Sequence, residues 1–335
     1  MKKDLRTPIH LGYLKLSNRI FFAPLAGCSD FPFRKMSTRL PKIFRPGLMF
    51  CEMVKMDALV RNDPNTFRLL DYSADMHPIG AQICGSNPKL AGQAAKIIEE
   101  LGFDSIDLNC GCPVDKVTKD GSGSGMLKNP DLIAEMVANM VASVSLPVTV
   151  KIRAGWDEDL IVGPEITQKV EEAGAVALTC HGRTRKQAYR GPANWGYIKD
   201  CVSVAKNIKI IGNGDIFQGS DALDMIEQTG CDAVLVSRGT MGNPWIVEDI
   251  LHAYENDSPI DRLEKDLRDT LTAHFLEACD YSGKRAVLDV RRIGCWYFKK
   301  SPGTRQFREK ISRVASIEDA RELIESFSFV EENNG

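Results

Sequence analysis

The chain has 335 residues, 43% apolar and 26% charged, which is ordinary globular material for one large domain with an appendage or for two domains. A net charge of −2 excludes a globally basic nucleic-acid binder, so any such surface has to be local. No run approaches the roughly 20 apolar residues of a membrane span, the opening "MKKDLRTPIHLGYLKL" lacks the apolar core of a signal peptide, and ten scattered cysteines read as reduced thiols of a cytoplasmic protein rather than a disulfide framework.

In chain order, one rhythm fills residues 1–250: a short apolar run, a polar or glycine-rich loop, then a helical pattern. The runs are "IFFAPLA" at 20–26, "GLMFCEMV" at 47–54, "PIGAQIC" at 78–84, "SIDLNCG" at 105–111, "PVTVKIR" at 147–153, "VALTCHG" at 176–182, "IKIIGNGD" at 208–215 and "CDAVLVSRG" at 231–239. Between them, "NPKLAGQAAKIIEELG" places Leu90, Ala94, Ile97, Ile98 and Leu101 on one helical face and stops at Gly102. "NPDLIAEMVANMVASV" does the same with Leu132, Ile133, Met136, Val137 and Met140, with Asn129 or Asp131 placed to cap it. Eight such units predict an α/β fold, a (β/α)8 TIM barrel. The runner-up, a doubly wound sheet, would want a G-x-G-x-x-G turn between a strand and a helix, and none is present. "GSGSG" at 121–125 lies in mid-loop and reads as a flexible hinge rather than a phosphate cradle. After Pro259 the strand runs cease, and residues 255–330 read as a C-terminal all-α helical domain before a polar tail, "EENNG".

Barrel active sites are built from the C-terminal ends of the strands, and here those ends are polar. They carry Gln82, Asn109, Lys151 with Arg153, His181 with Arg183, Asn213-Gly214-Asp215 and Ser237-Arg238. Such a constellation points to a large polar ligand at the mouth. Glycines after the last two runs suit phosphate binding through backbone N–H groups, although tight turns alone also need glycine. Lys151 and His181, on neighbouring strands, are placed to stabilise developing negative charge as fixed positive groups. "NCGCP" at 109–113 holds two cysteines, but a zinc site needs a second ligand pair and a dithiol prefers C-x-x-C. No metal is therefore expected. Cys112, opening a loop before Pro113, is a candidate general acid or nucleophile; the ordinary fate of a free cysteine is burial as a small hydrophobe.

These blocks resemble a known family. "APLAGCSDFPFR", "QICGSNP", "DLNCGCPVDKVTKDGSGSGMLKNP", "VKIRAGW", "HGRTRKQAYRGPANW", "IGNGDI" and "RGTMGNPWI" stand in the order of the tRNA-dihydrouridine synthases, nearest their DusB-like bacterial branch. The resemblance covers roughly residues 8–250 and continues more weakly through the helical tail. It implies reduction of the C5–C6 double bond of specific D-loop uridines in tRNA by FMN, with NADPH or NADH as reductant at the same mouth. It implies Cys112 as the proton donor to C5, opposite the hydride delivered from flavin N5 to C6. Leu25, Ala26, Gly27, Gln82, Lys151, His181, Asn213, Gly214, Asp215, Ser237 and Arg238 match the family's FMN contacts, and Asn109 its polar residue at the uracil. Cys112 is then expected on a loop that closes over the base, hinged at Gly121, Gly123 and Gly125.

A flipped-out uridine requires a grip on the tRNA backbone. Residues 283–313 hold ten Lys/Arg against two acids, a local net of +8, with Trp296, Tyr297, Phe298 and Phe307 read as core. Arg291 and Arg292 from this run, and Arg183 and Arg185 near the mouth, are the expected tRNA contacts. Two departures stand out: "RRIGCWY" lacks the histidine usual before the aromatic pair, and Ser237 replaces a usual glycine. A monomer is expected. The alternatives are a barrel that binds or chaperones RNA without catalysis, and a flavin reductase of free pyrimidines or enones.

Overall fold

The computed structural model describes residues 3–256, 258–299 and 304–327. Lys300 of the basic run and the predicted polar tail lie outside them. Eight parallel strands close into a barrel: β1 (Ile20–Phe22), β2 (Leu48–Phe50), β3 (Ile79–Cys84), β4 (Ser105–Cys110), β5 (Val148–Arg153), β6 (Ala177–His181), β7 (Lys209–Asn213) and β8 (Ala233–Val236). Closure comes from β8 pairing β1, with Leu235 opposite Phe21. All eight fall within the predicted runs. The second run is broken, however: β2 stops at Phe50, and Val54–Lys55 resumes separately against the end of β3.

Two hairpins were not anticipated. Ile9–Leu11 pairs antiparallel with Leu14–Leu16 and closes the N-terminal end of the barrel. Its Ile9, Leu11 and Leu16 pack with the inward-facing Phe21, Leu48, Phe50, Ala177, Ile211, Ala233 and Leu235. Gly155–Asp157 with Leu160–Ile161 forms the other, beyond β5. Each strand is too short to show a period, and hairpin stability comes from what it covers.

The surrounding helices bury the faces their periodicity predicted. Pro88–Glu100 starts at Asn87, whose side chain accepts from Lys89 N, and Gly102 follows its end at φ +83°. Pro130–Val141 is capped by Asn129, not Asp131, through a bond from Leu132 N, and buries Ile133, Met136, Val137 and Met140. Strand residues alternate accordingly. On β4, Ile106, Leu108 and Cys110 face the helices while Ser105, Asp107 and Asn109 face the barrel axis; on β5, Thr149, Lys151 and Arg153 do the same. The barrel interior is thus apolar at the hairpin end and polar at the C-terminal mouth.

Helices Glu264–Ser282, Ala286–Tyr297, Arg305–Ile311 and Ile317–Glu325 build a second core around Leu271, Phe275, Val290, Ile293, Phe298 and Phe307. Tyr297, Phe298 and Phe307 are core residues, as their sequence context suggested. This unit docks beside the mouth, on the segment after β1. The Phe31 and Tyr281 rings stack at 4.7 Å, Arg39 pairs with Glu277, and Arg292 Nη2 lies 3.1 Å from Asp30 Oδ2.

Candidate active site

A cavity of about 440 Å³ opens at the C-terminal mouth, within the range of small-molecule and cofactor sites. Leu25, Ala26, Gln82, Asn109, Cys112, Lys151, His181, Asn213, Gly214, Asp215, Ser237 and Arg238 line it. Of the expected cofactor contacts, Gly27 alone does not. Its N–H instead donates to Glu52 Oε1 at 2.5 Å, and its positive φ of +70° shapes the turn after β1.

Lys151 donates to Asn213 Oδ1 at 3.1 Å, and Asn213 Nδ2 donates to Leu235 O and Ser237 Oγ. Burial, with the nearby Arg153 charge, brings the Lys151 ammonium down to about 8. His181 corrects the expectation of a fixed positive partner for it. Burial, reinforced by Lys151, Arg153, Arg183 and Arg238, depresses the imidazole well below its usual value, so it is neutral at pH 7. Arg183 Nη1 lies 3.4 Å from His181 Nε2, and a guanidinium only donates; Nε2 therefore accepts and the proton sits on Nδ1.

Asp215, at φ +55°, ends the β7 loop. Both carboxylate oxygens are engaged, by Arg183 at 2.8 and 2.6 Å, by Arg238 at 3.0 Å and by Ala193 N at 2.7 Å. Burial raises its carboxyl, but these partners outweigh that and hold it below the usual range. Asp215 orients the two guanidiniums rather than presenting oxygen to a ligand. Arg183, expected at tRNA, is 2% exposed and spent on Asp215 and Gly191 O, so it braces the loops behind the cavity lining.

The other expected tRNA arginines are also committed. Arg185 pairs with Asp115 and lies over the Trp156 ring at 4.7 Å. Arg291 donates from Nε and Nη2 to Val314 O, bracing the helical unit. Arg292 bridges Asp30 and Asp289 at 3.1 Å each, over the Trp296 ring. Lys284, Arg285, Lys299, Lys310 and Arg313 of the basic run are exposed to solvent.

Cys112 corrects a second expectation. The segment around it is held from three directions rather than free to swing. Asn109 Oδ1 accepts from Gly111 N at 3.1 Å and Cys112 N at 2.9 Å. Arg153 Nε donates to Gly111 O at 2.9 Å. Ser124 donates to Cys112 O from its N at 3.1 Å and its Oγ at 2.9 Å. "GSGSG" is accordingly a packed support: Ser122, Gly123 and Ser124 are buried in and before the 3-10 turn Gly123–Lys128. Gly123 has φ +57°, and a Cβ there would stand 2.9 Å from Cys112 O, which explains the glycine. The thiol itself is half-buried at the cavity edge, whereas Cys110 is completely buried and burial drives its thiol well above the usual value.

Sequence reasoning noted Arg153 as a polar strand end but gave it no role. It is 2% exposed and donates also to Thr184 O and Ala188 O at 2.9 and 2.8 Å, tying the Cys112 segment to the loop after β6. Tyr189 of that loop lies under both Arg153 and Arg238, at 5.5 and 4.6 Å. Asp107 was missed altogether. The signal was present: in "SIDLNC" the polar residues alternate strictly with the apolar ones, so Asp107 shares the inward face of Asn109.

A closed parallel barrel with a cationic, donor-lined mouth defines a ligand-binding barrel of the enzyme type. The chain belongs to the dihydrouridine synthase (Dus) family, whose model matches residues 21–332. It is 35% identical over 324 residues to the probable tRNA-dihydrouridine synthase 1 of Synechocystis, covering 95% of this chain and 88% of that one. It is 34% identical over 330 residues to tRNA-dihydrouridine synthase B of Pseudomonas aeruginosa, covering 98% of each. In fold it is similar to morphinone reductase (TM-score 0.56, 14% identity, 80% of this chain and 93% of that one). It is likewise similar in fold to a Rhizobium histamine dehydrogenase (TM-score 0.57, 15% identity, 82% and 51%).

Proposed function

We propose that this enzyme reduces the C5–C6 double bond of D-loop uridines in tRNA, using FMN and NADPH. The observation that carries the reading is a cysteine with a pinned backbone, Cys112, lining a cavity rich in cations and donors. The residues fit an anionic flavin. Lys151, Arg153 and Arg238 line the cavity with Asp215 as the acid among its lining residues, and such an excess of positive charge suits an anion. Gly214, at φ +121°, brings the β7 loop close against His181, where a Cβ would stand 2.9 Å from the ring.

Arg238, oriented by Asp215, with Gly214 and Ser237 would hold the phosphate end. Lys151, neutral His181 through Nδ1–H, and Gln82 would meet the ring. When bound, the flavin supplies the hydride. Cys112 Sγ–H gives the proton to uracil C5, and the grip on its backbone sets the thiol's approach without a closing motion.

Exposed Lys284, Arg285, Lys299, Lys310 and Arg313 would take the tRNA phosphates. This is the role we assign to the helical unit, residues 255–330, beside the catalytic barrel, residues 1–250. Reductant and tRNA would alternate at the one mouth. All ten cysteines are free, which supports a reducing compartment, the cytoplasm, and we read the enzyme as a monomer. No helix among the described residues is long and apolar enough to cross a membrane. The test is Cys112→Ala: the purified protein stays yellow, while mass spectrometry of tRNA shows the two-hydrogen gain on uridine nearly abolished. Undiminished product would exclude Cys112 as the acid, and a colourless parent protein would exclude the flavin.

A further inference from the structure

Asp107 lies at the centre of the barrel, 3% exposed, beneath the cavity. Burial raises its carboxyl to about 6 against the pull of Thr149 and Gln82, so at pH 7 it is a carboxylate. Its Oδ1 accepts from Thr149 Oγ1 at 2.6 Å and its Oδ2 from Gln82 Nε2 at 2.7 Å. A carboxylate only accepts, so Gln82 must turn its nitrogen toward Asp107 and its oxygen away. That oxygen accepts from Asn109 Nδ2 at 2.7 Å. Asn109 must then turn its oxygen to the Cys112 segment, where Gly111 N and Cys112 N donate to it. Backbone N–H groups only donate. The chain therefore has an acceptor-only group at one end and donor-only groups at the other, and every amide between them has one permitted orientation.

We propose that Asp107 is a positioning residue that anchors this hydrogen-bonded chain at its buried end, gripping Cys112 at a distance through Gln82 and Asn109. Both amide oxygens are consumed within the chain. Each amide keeps one further N–H, and both residues line the cavity, so this part of the floor offers donors and no amide acceptor. It selects a ligand edge of carbonyl oxygens or unprotonated ring nitrogens, the chemistry that uracil and flavin share. This last point rests on the function proposed above; the grip on Cys112 does not.

The test reads Cys112 directly. In cofactor-free protein, the iodoacetamide alkylation rate of Cys112 is followed by peptide mass spectrometry. Asp107→Leu deletes the acceptor for Gln82 Nε2, and the rate rises roughly fivefold or more as the chain loses its buried anchor. Asp107→Asn keeps an amide oxygen that accepts from Gln82 Nε2 while its nitrogen turns to the Thr149 hydroxyl, so the rate stays within about twofold of the parent. A purely space-filling Asp107 would be replaced equally well by leucine. A parent-like rate in Asp107→Leu, or an Asp107→Asn variant as fast as Asp107→Leu, overturns the proposal. Should Asp107→Leu fail to fold, Gln82→Met breaks the middle link, and a parent-like rate there overturns it equally. None of these arms needs flavin or tRNA, so a failure of the functional reading would show separately, as a parent protein that makes no dihydrouridine.

Discussion

Removing the Arg153 guanidinium should cost both stability and catalysis. Arg153→Met keeps the length and apolar stem but deletes the donors to Gly111 O, Thr184 O and Ala188 O. Thr184 is 0% exposed, so its carbonyl loses its guanidinium partner where water does not reach, which costs about 1–3 kcal/mol. Gly111 and Ala188 are half-buried and can recover water, each at about 0.5–1 kcal/mol. Burial of the cation itself is a penalty, visible in the fall of its value to about 10, and its removal offsets part of the loss. The net is about 2–3 kcal/mol, or a Tm lower by roughly 3–4 °C in a chain of this length. Catalysis should suffer more, because Gly111 O is the peptide just before Cys112: a displacement of about 1 Å there corresponds to a loss on the order of 100-fold in kcat. Thermal melting and dihydrouridine formation on tRNA measure the two effects. A variant with parental Tm and parental turnover would refute the view that Arg153 holds the segment in place.

Other consequences follow from the same geometry. Lys151 titrates at about 8 without cofactor, and a bound anion favours its protonated form. FMN affinity, followed by fluorescence titration, should therefore weaken as pH rises through 8, by up to about tenfold per pH unit; a flat profile would remove Lys151 from the anion's contacts. Gly123→Ala must hold φ +57° and push a Cβ against Cys112 O. It should lose about 1–3 kcal/mol in urea denaturation, with turnover falling in parallel. Arg292→Ala should loosen the docking of the helical unit, lowering Tm while leaving the salt dependence of tRNA binding unchanged, because this side chain is spent on Asp30 and Asp289. Replacing exposed Lys284 and Arg285 by alanine should instead reduce the slope of log K against log salt by roughly 1.5 and leave Tm alone; the opposite pattern would return Arg292 to the RNA surface.

Much of this architecture was legible in the chain. The eight apolar runs, the helix faces and the caps follow from local rules of periodicity and turn chemistry, which a sequence displays directly. So does the inward polar face of β4 and β5, since a strand alternates its side chains whatever it packs against. The set of residues at the mouth was legible because a parallel barrel brings all strand C-termini to one end. What each polar group does there was decided by tertiary contact. Arg183, Arg291 and Arg292 looked like free cations, yet each finds a partner distant in sequence, at Asp215, Val314 and Asp30. His181 looked like a charge and is neutral because the barrel buries it, and does so among other cations. "GSGSG" looked like a hinge and is a buried prop because Cys112 folds back onto it. Hydrogen-bond partners and burial are properties of three-dimensional neighbours, and in a barrel those neighbours come from strands tens of residues apart. The sequence by itself determined where the chemistry gathers; only the tertiary structure decided that Cys112 is held still, and that a buried carboxylate beneath the site takes part in holding it.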